Sequence, residues 1–270
     1  MYGSQFPWHE LFQELHEYEG QDTFADVLAP WTNQNENVTE WIPSFRDRTN
    51  DNWNAATDED LCLLYAVFRV TSVLLLGFQN GRADGTDWLG PKISANGFQQ
   101  FHELIGFQTC DQLEYHPFFH EIVAVNQTSN DEDVIQLSDL HWPGIQLGGL
   151  MFCRAGVSVA AGRRLVNKSV LESSRLYWTY RRKDRPYNDQ SHGWGHNSQW
   201  RTRLRRGYFA DGCYNYNVDG DQSLNQITNE LVDEIPTDAM IELVRNRSLI
   251  TYQLDDSDLY PYVYSLVDGG

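Results

Sequence analysis

Eighteen consecutive residues, Leu61 to Phe78 (LCLLYAVFRVTSVLLLGF), carry a single charge, Arg69. A run this long and this apolar is either a membrane span or the spine of a hydrophobic core. Arg69 lies near its centre, where insertion into a bilayer would cost about 2.5 to 3.5 kcal/mol, and no Lys or Arg cluster flanks the run to orient it. The run therefore predicts a buried helix over about 58–77. Thr57-Asp-Glu-Asp60 stands immediately before it and has the Ser/Thr-x-x-acid spacing that satisfies the free amides of a helix start. A chain of 270 residues buries about 70 to 75% of its unfolded surface, enough to enclose such a helix. With 41% apolar and 21% charged residues, the composition excludes collagen-like, mucin-like and wholly disordered chains.

The first third continues the helical pattern. Trp8, Leu11, Phe12 and Leu15 fall at the i, i+3, i+4, i+7 spacing of one helix face. Asp22 to Ala29 predicts a short second helix ended by Pro30, and the polar stretch 32–54, with Trp31, Trp41 and Trp53, reads as a long surface loop tacked down by indoles. Gly81, Gly85, Gly90 and Pro91 mark a further loop, and Phe98, Phe101, Leu104 and Ile105 another amphipathic helix. From about residue 110 the spacing changes to alternation and β-branched runs. Strands are predicted at 119–125, 134–137, 147–153, 156–160, 175–181, 199–209, 214–218 and 249–254, the first two joined as a hairpin by the acidic turn 126–133. Residues 236–247 have acids in the first turn and Arg245 and Arg247 in the last, complementing a helix dipole. The expected class is α+β: a helical N-terminal third, then a mostly antiparallel sheet with one late helix. It is read as a single domain, 1–270, with a helical subregion 1–110 and a β-rich subregion 111–270.

The net charge of −18 makes general binding to nucleic acid or to anionic membrane unfavourable and points to a neutral or basic partner. The charge is segregated. Residues 151–210 hold 13 of the 20 basic side chains against 3 acids, while residues 1–60 hold 2 against 13. Cys62, Cys110, Cys153 and Cys213 are widely spaced, without a Cys-x-x-Cys pair, and read as free thiols. Residues 1–10 (MYGSQFPWHE) lack the basic and apolar regions of a secretory signal, so the cytoplasm is the expected location. The sequons at Asn37, Asn126, Asn167 and Asn246 then read as chance matches.

The basic block 175–209 is the first place to look for chemistry. Arginines interleaved with Tyr177, Trp178, Tyr180, Trp194 and Trp200 suit a phosphate or nucleotide, because guanidinium groups clamp oxyanions and indoles stack on bases. On a strand, Arg201, Arg203 and Arg205 would share one face, to hold either an anion or the carboxylates of this or a neighbouring subunit. Ser191 to His196 sets His192 and His196 around a Gly-Trp-Gly turn, the one place where general acid or base catalysis is considered. No local Cys or His completes a zinc site there. His116 and His120 flank apolar strand residues and read as structural. Asn215, Asn217 and Asp219 echo a calcium loop, but its twelfth position is Gln226, which lacks the bidentate carboxylate. No metal and no cofactor is expected.

Nucleophile-elbow, Walker and dinucleotide motifs are absent, which lowers the expectation of an enzyme without removing it. The reading that joins acidity, abundant aromatics and missing motifs is a binding or inhibitor protein that sequesters a basic protein, for example an immunity protein neutralising a nuclease toxin. Its acidic contact surfaces would be Glu10, Glu14 and Glu17 on the first helix and the Asp131-Glu132-Asp133 loop. The alternative is an enzyme or binding protein for a phosphorylated small molecule or nucleotide, with Arg201, Arg203 and Arg205 on the anion, Trp194 or Trp200 stacking, and His192 or His196 moving a proton. Pairing of the basic block with an acidic surface of a second copy allows a homo-oligomer.

Overall fold

The apolar run forms helix α5 (Asp58–Leu76) in the computed structural model, which describes residues 6–50, 52–79, 89–177, 203–255, 259 and 261–269. Its start is a capping box: the Thr57 hydroxyl accepts from the Asp60 amide at 3.2 Å, and the Asp60 carboxylate accepts from the Thr57 amide at 2.8 Å. Arg48 adds a two-pronged ion pair to Asp60, at 2.8 and 3.1 Å. Fifteen residues of α5 are buried. Each fully buried Leu or Val contributes about 1.5 to 3 kcal/mol, so the helix anchors everything packed on it. Arg69 is buried with them, its guanidinium 4.7 Å from the centre of the Phe12 ring.

Helix α1 (Phe6–Glu17) lies against α5 and buries Trp8, Leu11, Phe12 and Leu15, the face that their spacing predicts. Pro30 does not end the next helix. A π-helical turn (Phe24–Leu28) runs directly into α2 (Ala29–Gln34), with Pro30 in the first turn, where a missing N–H leaves no bond unmade. The stretch read as a loop holds α3 (Glu36–Thr39) and α4 (Trp41–Thr49). Ile42, Phe45 and Thr49 of α4 bury one narrow stripe, and its polar remainder conceals the helical period. Helix α6 (Ala95–Leu104) completes the helical third; Phe98 and Phe101 are buried, whereas Leu104 is 53% exposed.

The strands form a seven-stranded sheet and a three-stranded one. The larger has the order β1 (Gln108–Cys110), β4 (Gly144–Leu147), β5 (Leu150–Cys153), β7 (Gly207–Ala210), β8 (Cys213–Tyr216), β12 (Tyr264–Gly269), β9 (Gln222–Ser223). Its pairs are antiparallel except β12 with β9. The single strand expected over 147–153 is the end of β4, a turn at Gly148 (φ 60°) and β5. The smaller sheet sets β6 (Ala155–Ala161) between β2 (His120–Gln127) and β3 (Gln136–Trp142). The hairpin expected across 126–133 is therefore not formed: β2 pairs with β6 in parallel, and β3 pairs with β6 from the other side. The first four residues of β2 are all buried, a continuous buried run of the kind parallel pairing uses.

The remaining elements are α7 (Lys168–Ser173), a two-stranded ribbon of β10 (Leu231–Val232) and β11 (Ile235–Pro236), and the late helix α8 (Thr237–Asn246). The fold is thus α+β, with helices first, mostly antiparallel sheets after and α8 late. Residues 249–254 are not a strand: the carboxylate of Glu242 on α8 accepts the amides of Ile250, Thr251 and Tyr252 at 2.6, 2.8 and 3.2 Å. Side-chain capping replaces a sheet ladder there. Among the described residues no helix is long and apolar enough to cross a membrane, and none of the four cysteines is in a disulfide.

Candidate functional site

Burial of one face of α1 leaves the other to solvent. Glu10, Glu14 and Glu17 follow one another at i, i+4 and i+7 on that outer face, all exposed. Together with His9, Gln13, Tyr18 and Val27 they line an open groove of about 460 Å³. The Tyr18 hydroxyl donates to the Asp26 carboxylate at 2.5 Å and accepts the Asp22 amide at 3.0 Å, which holds its ring at one end of the groove. None of the three glutamates forms an ion pair with a described residue. Long flexible carboxylates without internal partners are free to meet a cation arriving from outside.

The second acidic candidate is differently placed. Asp131, Glu132 and Asp133 lie in the turn between β2 and β3 and share no lining residue with the α1 groove. Glu132 is ion-paired with Arg164, Asp133 accepts from Asn130 at 2.9 Å, and the Asp131 carbonyl accepts the Arg164 amide at 3.1 Å. This turn is stapled to the segment after β6. The three α1 glutamates, by contrast, have no ion pair among the described residues.

Among the residues expected in the basic block, His192, Trp194, His196, Trp200 and Arg201 lie outside the described residues. Residues 203–206 are not in a strand, which begins only at Gly207; they alternate instead, with Leu204 and Arg206 buried and Arg203 exposed. The Leu204 amide donates to the Leu61 carbonyl at 3.1 Å, drawing the segment onto the start of α5. Arg203 meets Asp58 of that helix at 2.9 Å, an intramolecular ion pair. Arg205 points elsewhere, with its guanidinium 5.7 Å from the Tyr262 ring centre.

Arg205 is one wall of a small cavity whose other polar walls are Arg154, Arg206, Tyr216, Asn217 and Arg247. The cavity is about 10 Å³, the room one water-sized particle needs, and no carboxylate of the described residues lines it. Arg154 stands between β5 and β6, Tyr216 ends β8, and Arg247 follows α8 with φ 58°, so four separate segments converge there. The Arg206 guanidinium grips Asp219 at 2.7 and 3.0 Å and the Trp53 carbonyl at 2.7 Å. Burial opposes its charge, and the hydrogen bonds to Asp219 outweigh that, holding its pKa above the ordinary arginine value. Arg154 donates to the Arg245 carbonyl at 2.7 Å, but its buried Nε bonds to nothing, and the buried Tyr216 hydroxyl likewise has no partner. Burial pulls the Arg154 pKa down, against Tyr216, Glu121 and Tyr115, which raise it.

Sequence reasoning selects Arg205 and misses Arg154, Arg206 and Arg247. The available signal is Arg154 itself, the only charge in Leu147 to Ala161, a stretch otherwise made of strands. Such a charge needs a partner within the fold or from outside it.

The remaining candidates serve local structure. The Phe118 amide donates to His116 Nδ1 at 3.1 Å and the His116 amide to His120 Nδ1 at 3.0 Å; burial lowers both histidines' pKa values. In the calcium-like loop, Asn215 donates to the Tyr208 and Cys213 carbonyls, Asn217 donates to those of Tyr262 and Tyr264, and Asp219 is taken by Arg206. Among the described residues no group of three or more His, Cys, Asp and Glu is placed to hold a metal ion. Comparison with protein-family models, curated proteins and solved structures found no match.

Proposed function

We propose that the protein binds and sequesters a basic protein partner through the outer face of α1, as an immunity protein does when it neutralises a toxin such as a nuclease. The observation that supports this is the row of Glu10, Glu14 and Glu17, exposed and unpaired along a groove that also offers the Tyr18 ring and Val27. The net charge of −18 steers a cationic partner from a distance, and a groove with carboxylates along it accepts Lys or Arg stems with their charged ends met. Tyr18 supplies the aromatic contact on which tight interfaces rest. Against a nuclease, the carboxylates would stand where the substrate's phosphates stand.

The test uses the whole protein and the triple variant Glu10→Gln, Glu14→Gln, Glu17→Gln, each immobilised and exposed to extract of the native host at low salt. The expected result is a stoichiometric basic protein held by the wild type, released by raised salt and lost from the variant. With that protein purified, association to the variant is expected to be about tenfold slower and less sensitive to salt. Equal retention and equal kinetics on both surfaces would refute the placement on α1.

A further inference from the structure

We infer that the cavity walled by Arg154, Arg205, Arg206 and Arg247 is an anion site that takes a single anionic atom, either a chloride ion or a terminal oxygen of a phosphate group. This inference is independent of the α1 surface, with which the cavity shares no residue.

Charge balance leads to it. Four guanidinium groups surround one small space, and all but Arg205 are buried. Asp219 compensates Arg206 by direct contact, and Glu121 acts electrostatically on Arg154. Asp268 of β12 is engaged by Arg245 at 2.8 and 2.9 Å. A buried cation lacking a counter-charge costs several kcal/mol. An isolated surface arginine would hydrate freely, but Arg154 is 5% exposed, and its Nε–H has neither protein acceptor nor open solvent.

Donor geometry agrees with charge. Arg154 Nε–H and the Tyr216 hydroxyl are both buried donors without acceptors, on two residues that face the same space. The guanidinium of Arg154 lies 5.7 Å from the Tyr216 ring centre, which sets the two residues side by side at the cavity. Phe118, Met151 and Val244 form apolar walls, which lower the local dielectric and strengthen attraction to a negative charge. Size sets the selection. A space for one water-sized particle admits a chloride or one phosphate oxygen and excludes a large organic anion.

The experiment measures thermal unfolding of the whole protein at constant ionic strength in sodium gluconate, an anion too large for the cavity. In one series gluconate is replaced stepwise by chloride, in another by inorganic phosphate. A ligand that binds only the folded state raises the unfolding midpoint along a saturable curve, and saturation with chloride or only with phosphate identifies which source supplies the atom. Arg205→Gln, at the half-buried wall, and Tyr216→Phe, which removes one free hydroxyl, are expected to weaken the apparent affinity about tenfold, the value of one charge-assisted hydrogen bond. Anomalous scattering from a bromide-soaked crystal gives a second readout that needs no variant, with a peak expected between Arg154 and Tyr216. Equal midpoints in all three salts, together with no bromide peak, would overturn the inference and leave a water in the cavity. An identical salt response in wild type and both variants would overturn it equally, by showing a general surface effect.

Discussion

His102 ties the stability of the core to pH, and the structure sets the size of the effect. It is wholly buried in α6, with Phe98, Phe101, Phe107 and Phe152 rings around it. Its Nδ1–H donates to the Phe98 carbonyl at 2.7 Å, which leaves Nε2, 2.9 Å from the Thr71 hydroxyl, as the acceptor of the neutral ring. Both nitrogens are satisfied in the neutral ring. A second proton would put a charge among these aromatic rings. Burial therefore lowers the pKa from 6.5 to about 4, despite the opposing pull of the Phe98 carbonyl. The unfolded chain takes up a proton at pH values where the folded one refuses it. This contribution is complete above about pH 7, declines as pH falls through 6.5, and is gone below about pH 4, for a total of about 3 kcal/mol. Between pH 7 and pH 5 the loss is about 2 kcal/mol by the same linkage. Urea unfolding followed by tryptophan fluorescence at those two pH values measures it, with His102→Gln as the reference. Glutamine keeps a donor and an acceptor but does not titrate. The variant starts less stable, and its loss between pH 7 and pH 5 is expected to be about 2 kcal/mol smaller than that of the wild type. His16, His116 and His120 are lowered too, but they are present in both proteins and cancel in the difference. Equal losses in the two proteins would refute the assignment.

Two substitutions test how the second half is held. Glu242→Gln leaves an uncharged oxygen to accept the three amides and puts an amide donor where the other oxygen accepts the Thr251 hydroxyl; losing these charge-assisted bonds is expected to cost about 1.5 to 3 kcal/mol in urea unfolding, with faster hydrogen exchange at Ile250, Thr251 and Tyr252. Gly156→Ala places a methyl group 2.3 Å from the Trp142 indole, which is buried and held by its N–H to the Arg154 carbonyl at 2.9 Å. Overpacking there is expected to cost about 1 to 3 kcal/mol, read as a lowered Tm.

Helices whose signals are local were legible in the sequence. The α5 boundary follows from Thr57 and Asp60, that of α1 from four apolar residues at helical spacing, and that of α8 from charges placed along its dipole. Helix α4 escaped because three buried residues among Arg, Asp, Ser and Thr give too weak a period. Sheet order was not legible. Nothing in the turn 126–133 reveals that β6, arriving from further along the chain, will take the place between β2 and β3. Residues 249–254 have strand composition and yet bond to Glu242, whereas β12 was not anticipated at all. The candidate sites divide in the same way. The acidic row on α1 is visible because helical spacing is a local property. The arginine cavity is invisible because Arg154, Arg206 and Arg247 lie far apart in sequence, and only the sheet and α8 bring them together.

This division bears on what the charge segregation does. Several basic side chains are consumed inside the molecule: Arg48 by Asp60, Arg203 by Asp58, Arg206 by Asp219 and Arg245 by Asp268. The exposed pairs contribute little stability, on the order of 0 to 1 kcal/mol each. Their consequence is spatial, since each removes one carboxylate from the outward field and leaves the unpaired row on α1 as the sharper feature. The two proposed sites are expected to respond differently to salt. Association at α1, as proposed, would depend on long-range attraction and is expected to weaken as any electrolyte shortens the Debye length. Occupancy of the arginine cavity, as inferred, is expected to depend on the identity of one ion at fixed ionic strength and to saturate. Varying ionic strength with gluconate alone, and then anion identity at constant ionic strength, separates the two sites without altering a residue.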